Sequence, residues 1–241
     1  MLGLGNTVGQ RAFNKGLYSI SFDGSNDYIT LGDALDLGTA DFSISLWVKL
    51  ADITSKNLIS KYEDDDNQIL IYFSAEKIVA HLQGGGNAIC SHTGSSNMTE
   101  LQDTWIHICV TIDRDGNGGI YINGTTGTYG KSLHDLDYDT QTLSNSGSWY
   151  FMRHGGTYAA GGMTDVAIWN VALAEDAVIA IYNSGKPFDL TSNRGDYDNS
   201  SSLTGYWRMN EGSGNKAADS AGSTEARLFN NPTWSTDTPG D

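Results

Sequence analysis

Apolar and polar residues alternate with a period of two along much of the chain. Residues 42–49 read Phe-Ser-Ile-Ser-Leu-Trp-Val-Lys, which puts Phe42, Ile44, Leu46 and Val48 on one face of an extended segment and Ser43, Ser45 and Trp47 on the other. The first face is expected to be core and the second wetter. Residues 68–73 repeat the alternation, and 105–112 and 120–122 are more continuously apolar, rich in β-branched and aromatic side chains that suit strands. Between these segments lie Asp23-Gly24, the run 84–87, the run 115–119 and Asn123-Gly124, which supply the positive-φ positions of tight hairpins. Residues 174–182 alone read as helix, with Glu175 and Asp176 in the first turn and Gly185 just past the end. Many short strands with one late helix, no parallel crossover pattern and no internal repeat predict an all-β fold of two packed antiparallel sheets.

A chain of 241 residues can bury a full core as one sandwich. Its 14 basic against 29 acidic side chains give a net charge of −15, which argues against nucleic acid and anionic membrane surfaces, since both demand clustered Lys and Arg. No apolar stretch is long enough to cross a bilayer as a helix, so no membrane insertion is expected. The start, Met1 to Asn6, lacks a basic region followed by a long apolar core, and no secretory signal is expected in it. Two cysteines, Cys90 and Cys109, allow at most one bridge, so the fold rests on its core.

Several blocks occur in a telling order. Ser21-Phe22-Asp23-Gly24-Ser25-Asn26-Asp27-Tyr28-Ile29, then the 42–48 strand, then Leu58-Ile59-Ser60-Lys61, then 105–108 with Tyr121-Ile122-Asn123-Gly124, then 162–170 with Ala172-Leu173, together resemble a laminin G-like domain of the concanavalin A-like superfamily over roughly residues 17–185. The resemblance implies a jelly-roll sandwich. The segment Gly205 to Gly214 with Asp219-Ser220 and Asn230 to Trp234 resembles a lead-in that usually precedes the Phe-Asp-Gly strand, yet here it comes last. The implied arrangement is a circular permutant: residues 17–241 form one domain, 203–238 return beside the first strand, and 1–16 are an N-terminal arm. This layout is similar to laminin G-like proteins of marine bacterial viruses, which implies a place on a virion surface and partners among other virion proteins or copies of the chain itself. Leu2, Leu4 and Val8 offer an apolar docking strip for such a neighbour, or simply a frayed terminus.

The same resemblance implies a structural calcium ion at the sandwich rim, held by Asp23 and Asp165, with the Asn26 amide and backbone carbonyls completing a shell of about six to eight oxygens. Read only as turn formers, Asp23 and Asn26 would bond their own backbone instead. Asp113 to Gly118 matches the first half of a helix-flanked calcium loop, but the twelfth position is Gly124 and strands flank it, so a hairpin turn is expected. Glu63 to Asp66 and Asp135, Asp137 and Asp139 read as solvated loops. Cys90 with His92 and His107 with Cys109 have zinc-ligand chemistry if their strands are neighbours, and packing explanations if they are not.

Catalysis has little footing. Glucan-cleaving enzymes on such sandwiches resemble one another in a Glu-x-Asp-x-Glu strand, and the six glutamates, Glu63, Glu76, Glu100, Glu175, Glu211 and Glu225, include no such spacing. A nucleophile elbow is also absent. Trp47, Tyr72, Trp105 and His107, placed opposite the core stripe, are candidate platforms for a sugar ring, with framework packing as their other reading. The function expected is that of a non-catalytic structural or binding protein of a bacteriophage particle, as capsid decoration or tail appendage. The alternative is a lectin-like adhesin for host-surface glycans, and a polysaccharide-cleaving enzyme would need a carboxylate pair in a cleft.

Overall fold

The computed structural model describes residues 18–134, 136 and 140–240, the side chains of 88–90 excepted. Residues 1–16, with Leu2, Leu4 and Val8, lie outside the described residues, as do Asp135, Asp137 and Asp139. In chain order the strands are β1 (Ser19–Asp23), β2 (Tyr28–Gly32), β3 (Phe42–Lys49), β4 (Ser55–Asp64), β5 (Asn67–Ser74), β6 (Lys77–Gly84), β7 (Asn87–Thr93), β8 (Ile106–Ile112), β9 (Gly118–Ile122), β10 (Lys131–Leu133) and β11 (Ser148–Phe151). Then follow β12 (Arg153–His154), β13 (Thr157–Tyr158), β14 (Ala160–Trp169), the helix α1 (Glu175–Tyr182), β15 (Leu203–Trp207), β16 (Lys216–Ala217), β17 (Ala226–Phe229) and β18 (Thr233–Ser235).

Two antiparallel sheets result, with orders β10-β9-β8-β3-β14-β1-β18 and β16-β17-β2-β11-β4-β5-β6-β7. They pack as the two-sheet sandwich that the period-two alternation predicts. Ile44, Leu46 and Val48 of β3 and Ile106, Ile108 and Val110 of β8 share a fully buried cluster with Ile29, Ile59, Ile71 and Phe73 of the opposite sheet. Each such side chain contributes roughly 1.5–3 kcal/mol by leaving water.

The other face of β3 is not wet. Cys109, Tyr121, Ala167 and Trp169 on the outside of the first sheet form a second buried cluster with Val178 and Ile181 of α1 and with Phe188, Leu190, Tyr197 and Tyr206. An eight-residue helix is too short to persist alone. It stays because Ala177, Val178 and Ile181 are buried, and it ends at Asn183, whose φ of 46° is left-handed. The first sheet is therefore covered on both faces, and the molecule is three layers deep at α1.

The last forty residues return to the first strands. β18 pairs with β1 (Ile20 opposite Trp234), β17 pairs with β2 (Leu228 opposite Ile29), and β15 pairs with the second half of β14 (Val166 opposite Trp207). The first half of β14 pairs with β1 (Ile20 opposite Met163). One edge of β14 thus carries β1 and β15 in line, with Thr164 and Asp165 at the seam.

Candidate functional site

Trp47 and His107 do not reach solvent. Trp47 is 3% exposed and His107 1%, because Tyr182 at the end of α1 lies over both, 5.9 and 6.0 Å between ring centroids, with Trp47 and His107 themselves 5.0 Å apart. The Ser45 hydroxyl and His107 Nε2 are 2.8 Å apart, and burial holds the imidazole pKa down to about 3. These residues, with Asp165, Ile181, Pro187, Phe188 and Leu190, enclose a cavity of about 10 Å³. No sugar ring enters such a space, so the expectation that Trp47 and His107 form a glycan platform is corrected: the helical layer covers the face that alternation leaves open.

The expected calcium ligands are likewise kept apart. Asp23 lies opposite Ala160 in the β1–β14 ladder, five strand positions from Asp165, or about 16 Å at the rise of an extended chain. Asp23 is exposed and accepts the backbone N–H groups of Ser25 (2.7 Å) and Asn26 (3.4 Å), an Asx turn that lowers its pKa. Asn26 is exposed in that turn, its carbonyl accepting Asn230 Nδ2 at 2.8 Å. Asp165 is buried, accepts the Tyr206 hydroxyl at 2.6 Å and lies 4.0 Å from Arg208 Nε. Burial raises its pKa to about 6 despite the Tyr206 hydrogen bond and the Arg208 charge. Its oxygens are engaged by the Tyr206 and Thr164 hydroxyls beside the Arg208 guanidinium, whereas a calcium ligand shares its oxygens with a shell of other oxygen donors. Asp23, Asn26 and Asp165 do not form one oxygen cage.

The zinc reading fails on topology, since β7 and β8 belong to different sheets. Cys109 is free and buried, while the side chain of Cys90 lies outside the described residues. Asp113 to Gly118 is a hairpin turn between β8 and β9, closed by Gly116 N–H donating to Asp113 O at 3.4 Å. There Asp41, Asp113 and Asp115 bring carboxylate oxygens within 4.8 Å of one another. Desolvation, a hydrogen bond with Asp115 and the charge of Asp41 raise the Asp113 pKa.

Tyr72 and Trp105 keep partial exposure. Tyr72 stands half-buried on β5, opposite Asn57 and Val79. Trp105 borders a cavity of about 200 Å³ with Lys49, Asp103, Gly162 and Asp237, but its indole N–H donates to Asp237 at 2.9 Å. Asp237 also pairs with Lys49 at 2.7 Å. The edge of Trp105 thus secures the C-terminal segment.

A larger groove opens where the returning segment passes from one sheet to the other. About 600 Å³ in volume, it is lined by Gly214, Asn215, Leu228, Asn230, Asn231, Pro232, Thr233 and Trp234. Trp234 is fixed by its indole N–H donating to Gly214 O at 2.8 Å. Asn230 and Asn231 take left-handed φ values of 66° and 72°, conformations that Asn tolerates better than most residues. The lining combines an aromatic ring, three side-chain amides and a hydroxyl, and no lining residue is titratable. Sequence reading passes over this site because the segment 230–234 is conspicuous there only as a displaced lead-in. The signal it held was a Trp beside an Asn-Asn-Pro turn.

No curated protein matches the chain. Among solved structures, a Bacteroides ovatus ATCC 8483 protein provisionally described as carbohydrate binding superposes with a TM-score of 0.66 and 19% identity, covering 94% of this chain and 62% of its own. The chain thus spans about 62% of that protein's length. The heptameric SAP-like pentraxin of Limulus polyphemus gives a TM-score of 0.55 at 17% identity, covering 71% of this chain and 84% of the pentraxin. The binding domain of Paraclostridial Mosquitocidal Protein 1 gives 0.52 at 18%, covering 71% and 47%. These likenesses concern the fold. A family model, Laminin_G_3, matches residues 23–179, well over half of the chain, and the chain belongs to that family of the concanavalin A-like lectin/glucanases superfamily.

Proposed function

We propose that the protein is a non-catalytic carbohydrate-binding module. The observation that carries this reading is the groove at Trp234: a ring face for the apolar side of a pyranose, flanked by Asn215, Asn230, Asn231 and Thr233, whose amides and hydroxyl match the donor and acceptor pattern of sugar hydroxyls. Its size is that of ordinary small-ligand sites. With no titratable group in its lining, it has no general acid, base or carboxylate nucleophile, so it is built to hold a glycan and not to cleave one. The fold likeness to a protein described as carbohydrate binding supports the same reading.

The setting proposed is the surface of a bacteriophage particle, where the module would contact host glycans and be held by other virion proteins or by copies of itself. The order of the sequence blocks supports this setting. Detection of the chain in purified virions by mass spectrometry would support it further, and absence would remove it. The calcium expected from the resemblance has no cage in Asp23, Asn26 and Asp165, and the binding proposed does not pass through a metal.

The binding reading is tested by calorimetric titration of the full chain with a panel of neutral oligosaccharides. The expected result is a saccharide whose affinity drops about tenfold or more in Trp234→Ala, in line with the cost of losing an aromatic stacking partner. A full panel without heat, or undiminished binding by the variant, would overturn it.

A further inference from the structure

Beyond the groove, the outer face of the second sheet carries a group of aromatic rings around one guanidinium. Ile29 and Leu31 of β2 point into the core, so Tyr28 and Thr30 face outward, Tyr28 opposite Phe229 on β17 and Thr30 opposite Tyr150 on β11. The Tyr28 ring is stacked on Phe229 at 5.1 Å and 3° and meets the edge of Tyr150 at 5.7 Å. Phe229 is 41% exposed. It sits in sequence between Leu228 and Asn230, both of which line the groove, so the aromatic face and the groove share the end of β17.

Arg153 enters this face from β12. Its guanidinium carbon lies 4.4 Å from the centroid of Tyr150, 4.7 Å from that of Tyr28 and 5.8 Å from that of Tyr158. Nε–H donates to Gly155 O at 3.2 Å. Among the described residues Arg153 pairs with no carboxylate, and the hydroxyls of Tyr28, Tyr150 and Tyr158 engage no protein partner. Lys49, Lys56, Lys61, Arg208, Lys216 and Arg227 are instead held by carboxylates in ion pairs. Ring contact holds the guanidinium while Nε–H is taken by Gly155, which leaves the edge formed by its two terminal nitrogens, a fork shaped for two parallel hydrogen bonds to an oxyanion.

We propose that Arg153, seated among Tyr28, Tyr150 and Tyr158, is the anion-recognising subsite of the glycan-binding surface, and that the ligand is an acidic saccharide carrying a carboxylate or a sulfate. The aromatic rings receive the sugar faces, the tyrosine hydroxyls its hydroxyls, and the guanidinium fork its charge. In a strongly acidic protein such a site also selects, since an anionic chain is repelled by the rest of the surface and held only where the guanidinium faces it. This inference rests on the glycan-binding reading above and names the ligand class.

The test titrates the full chain with three tetrasaccharides: a uronate, a sulfated neutral sugar and an uncharged sugar. At low salt, about tenfold tighter binding of at least one acidic ligand over the uncharged one is expected, weakening as ionic strength rises. The uronate and sulfate arms show which oxyanion is preferred. Arg153→Gln should remove the preference while binding of the uncharged ligand, which depends on Trp234, persists. Arg153→Lys retains charge without the fork and should fall between the two. Thermal unfolding of each variant separates lost recognition from lost folding, and Tyr158→Phe, which removes one hydroxyl and keeps the ring, gives a second probe with a smaller loss expected. Equal affinity for charged and uncharged ligands, or an acidic preference that survives Arg153→Gln, would overturn the proposal while leaving the groove reading intact. Failure of all three ligands to bind would overturn both.

Discussion

The Tyr206 hydroxyl donates a 2.6 Å hydrogen bond to Asp165 Oδ1, and this contact joins the returning strand β15 to the seam in β14. Both groups are buried, at 0% and 3% exposure. Arg208, one residue beyond β15, lies 4.0 Å from the same oxygen and 3.1 Å from Asp189. The cluster is a polar pin within an otherwise apolar second core.

The pin is expected to weaken as pH rises. Asp165 has a folded-state pKa of about 6 against an ordinary 3.8, so between those values the folded chain holds a proton that the unfolded chain releases. The contribution is present in full below about pH 4 and is lost as pH rises through 6, a difference of about 3 kcal/mol. Asp165→Asn keeps the acceptor for Tyr206 and cannot ionise. Relative to that variant, the wild type should lose stability from pH 4 to 7 in denaturant titrations. Calcium should leave the difference unchanged, whereas a calcium-dependent rescue of the wild type at pH 7 would show the carboxylate to be a metal ligand after all. Parallel curves for the two proteins would refute the argument.

His107, across the same small cavity, has the opposite slope. Its pKa is depressed from 6.5 to about 3 by burial, so its contribution is complete above pH 6.5 and declines as pH falls toward 3. NMR of the imidazole should show a neutral ring from pH 8 down to pH 5. A midpoint near 6.5 would mean that α1 leaves Trp47 and His107 open to water, which would reinstate them as candidate platforms.

The period-two pattern of residues 42–49 identifies the strand and the inward row of Phe42, Ile44, Leu46 and Val48. It does not tell what covers Ser45 and Trp47, because the covering layer is one short helix followed by irregular chain, held by contacts such as the Trp169 indole N–H on the Tyr197 hydroxyl at 3.1 Å. Periodicity reports that a face is less apolar, not that it is wet. The same limit hid the surface around Arg153: Tyr28, Tyr150, Tyr158 and Phe229 are scattered along the chain and meet only through strand register, and no short motif contains them. Asp23 and Asp165 fail together for the converse reason, since block order suggests proximity while the β1–β14 register sets them five positions apart.

Thr164 supplies the last test, because it joins three strands with one hydroxyl. Buried completely, its Oγ1 lies 3.1 Å from Tyr18 O, at the start of β1, and 2.9 Å from Arg208 O, just past β15. At this point β14 passes from one partner strand to the other, and the carbonyls at the gap have the threonine hydroxyl in place of a ladder N–H. Thr164→Val preserves the shape and removes the donor, so the part-buried carbonyls lose this hydrogen bond at a cost of about 1 kcal/mol. The loss should fall unevenly. Amide hydrogen exchange in β15 and β18, whose pairing with β14 and β1 the seam supports, should accelerate more than exchange in β3 and β8, which lie on the far side of β14. Uniform acceleration would mean that the seam unfolds only with the whole sandwich, and unchanged stability would mean that the carbonyls find other donors and that the hydroxyl holds nothing.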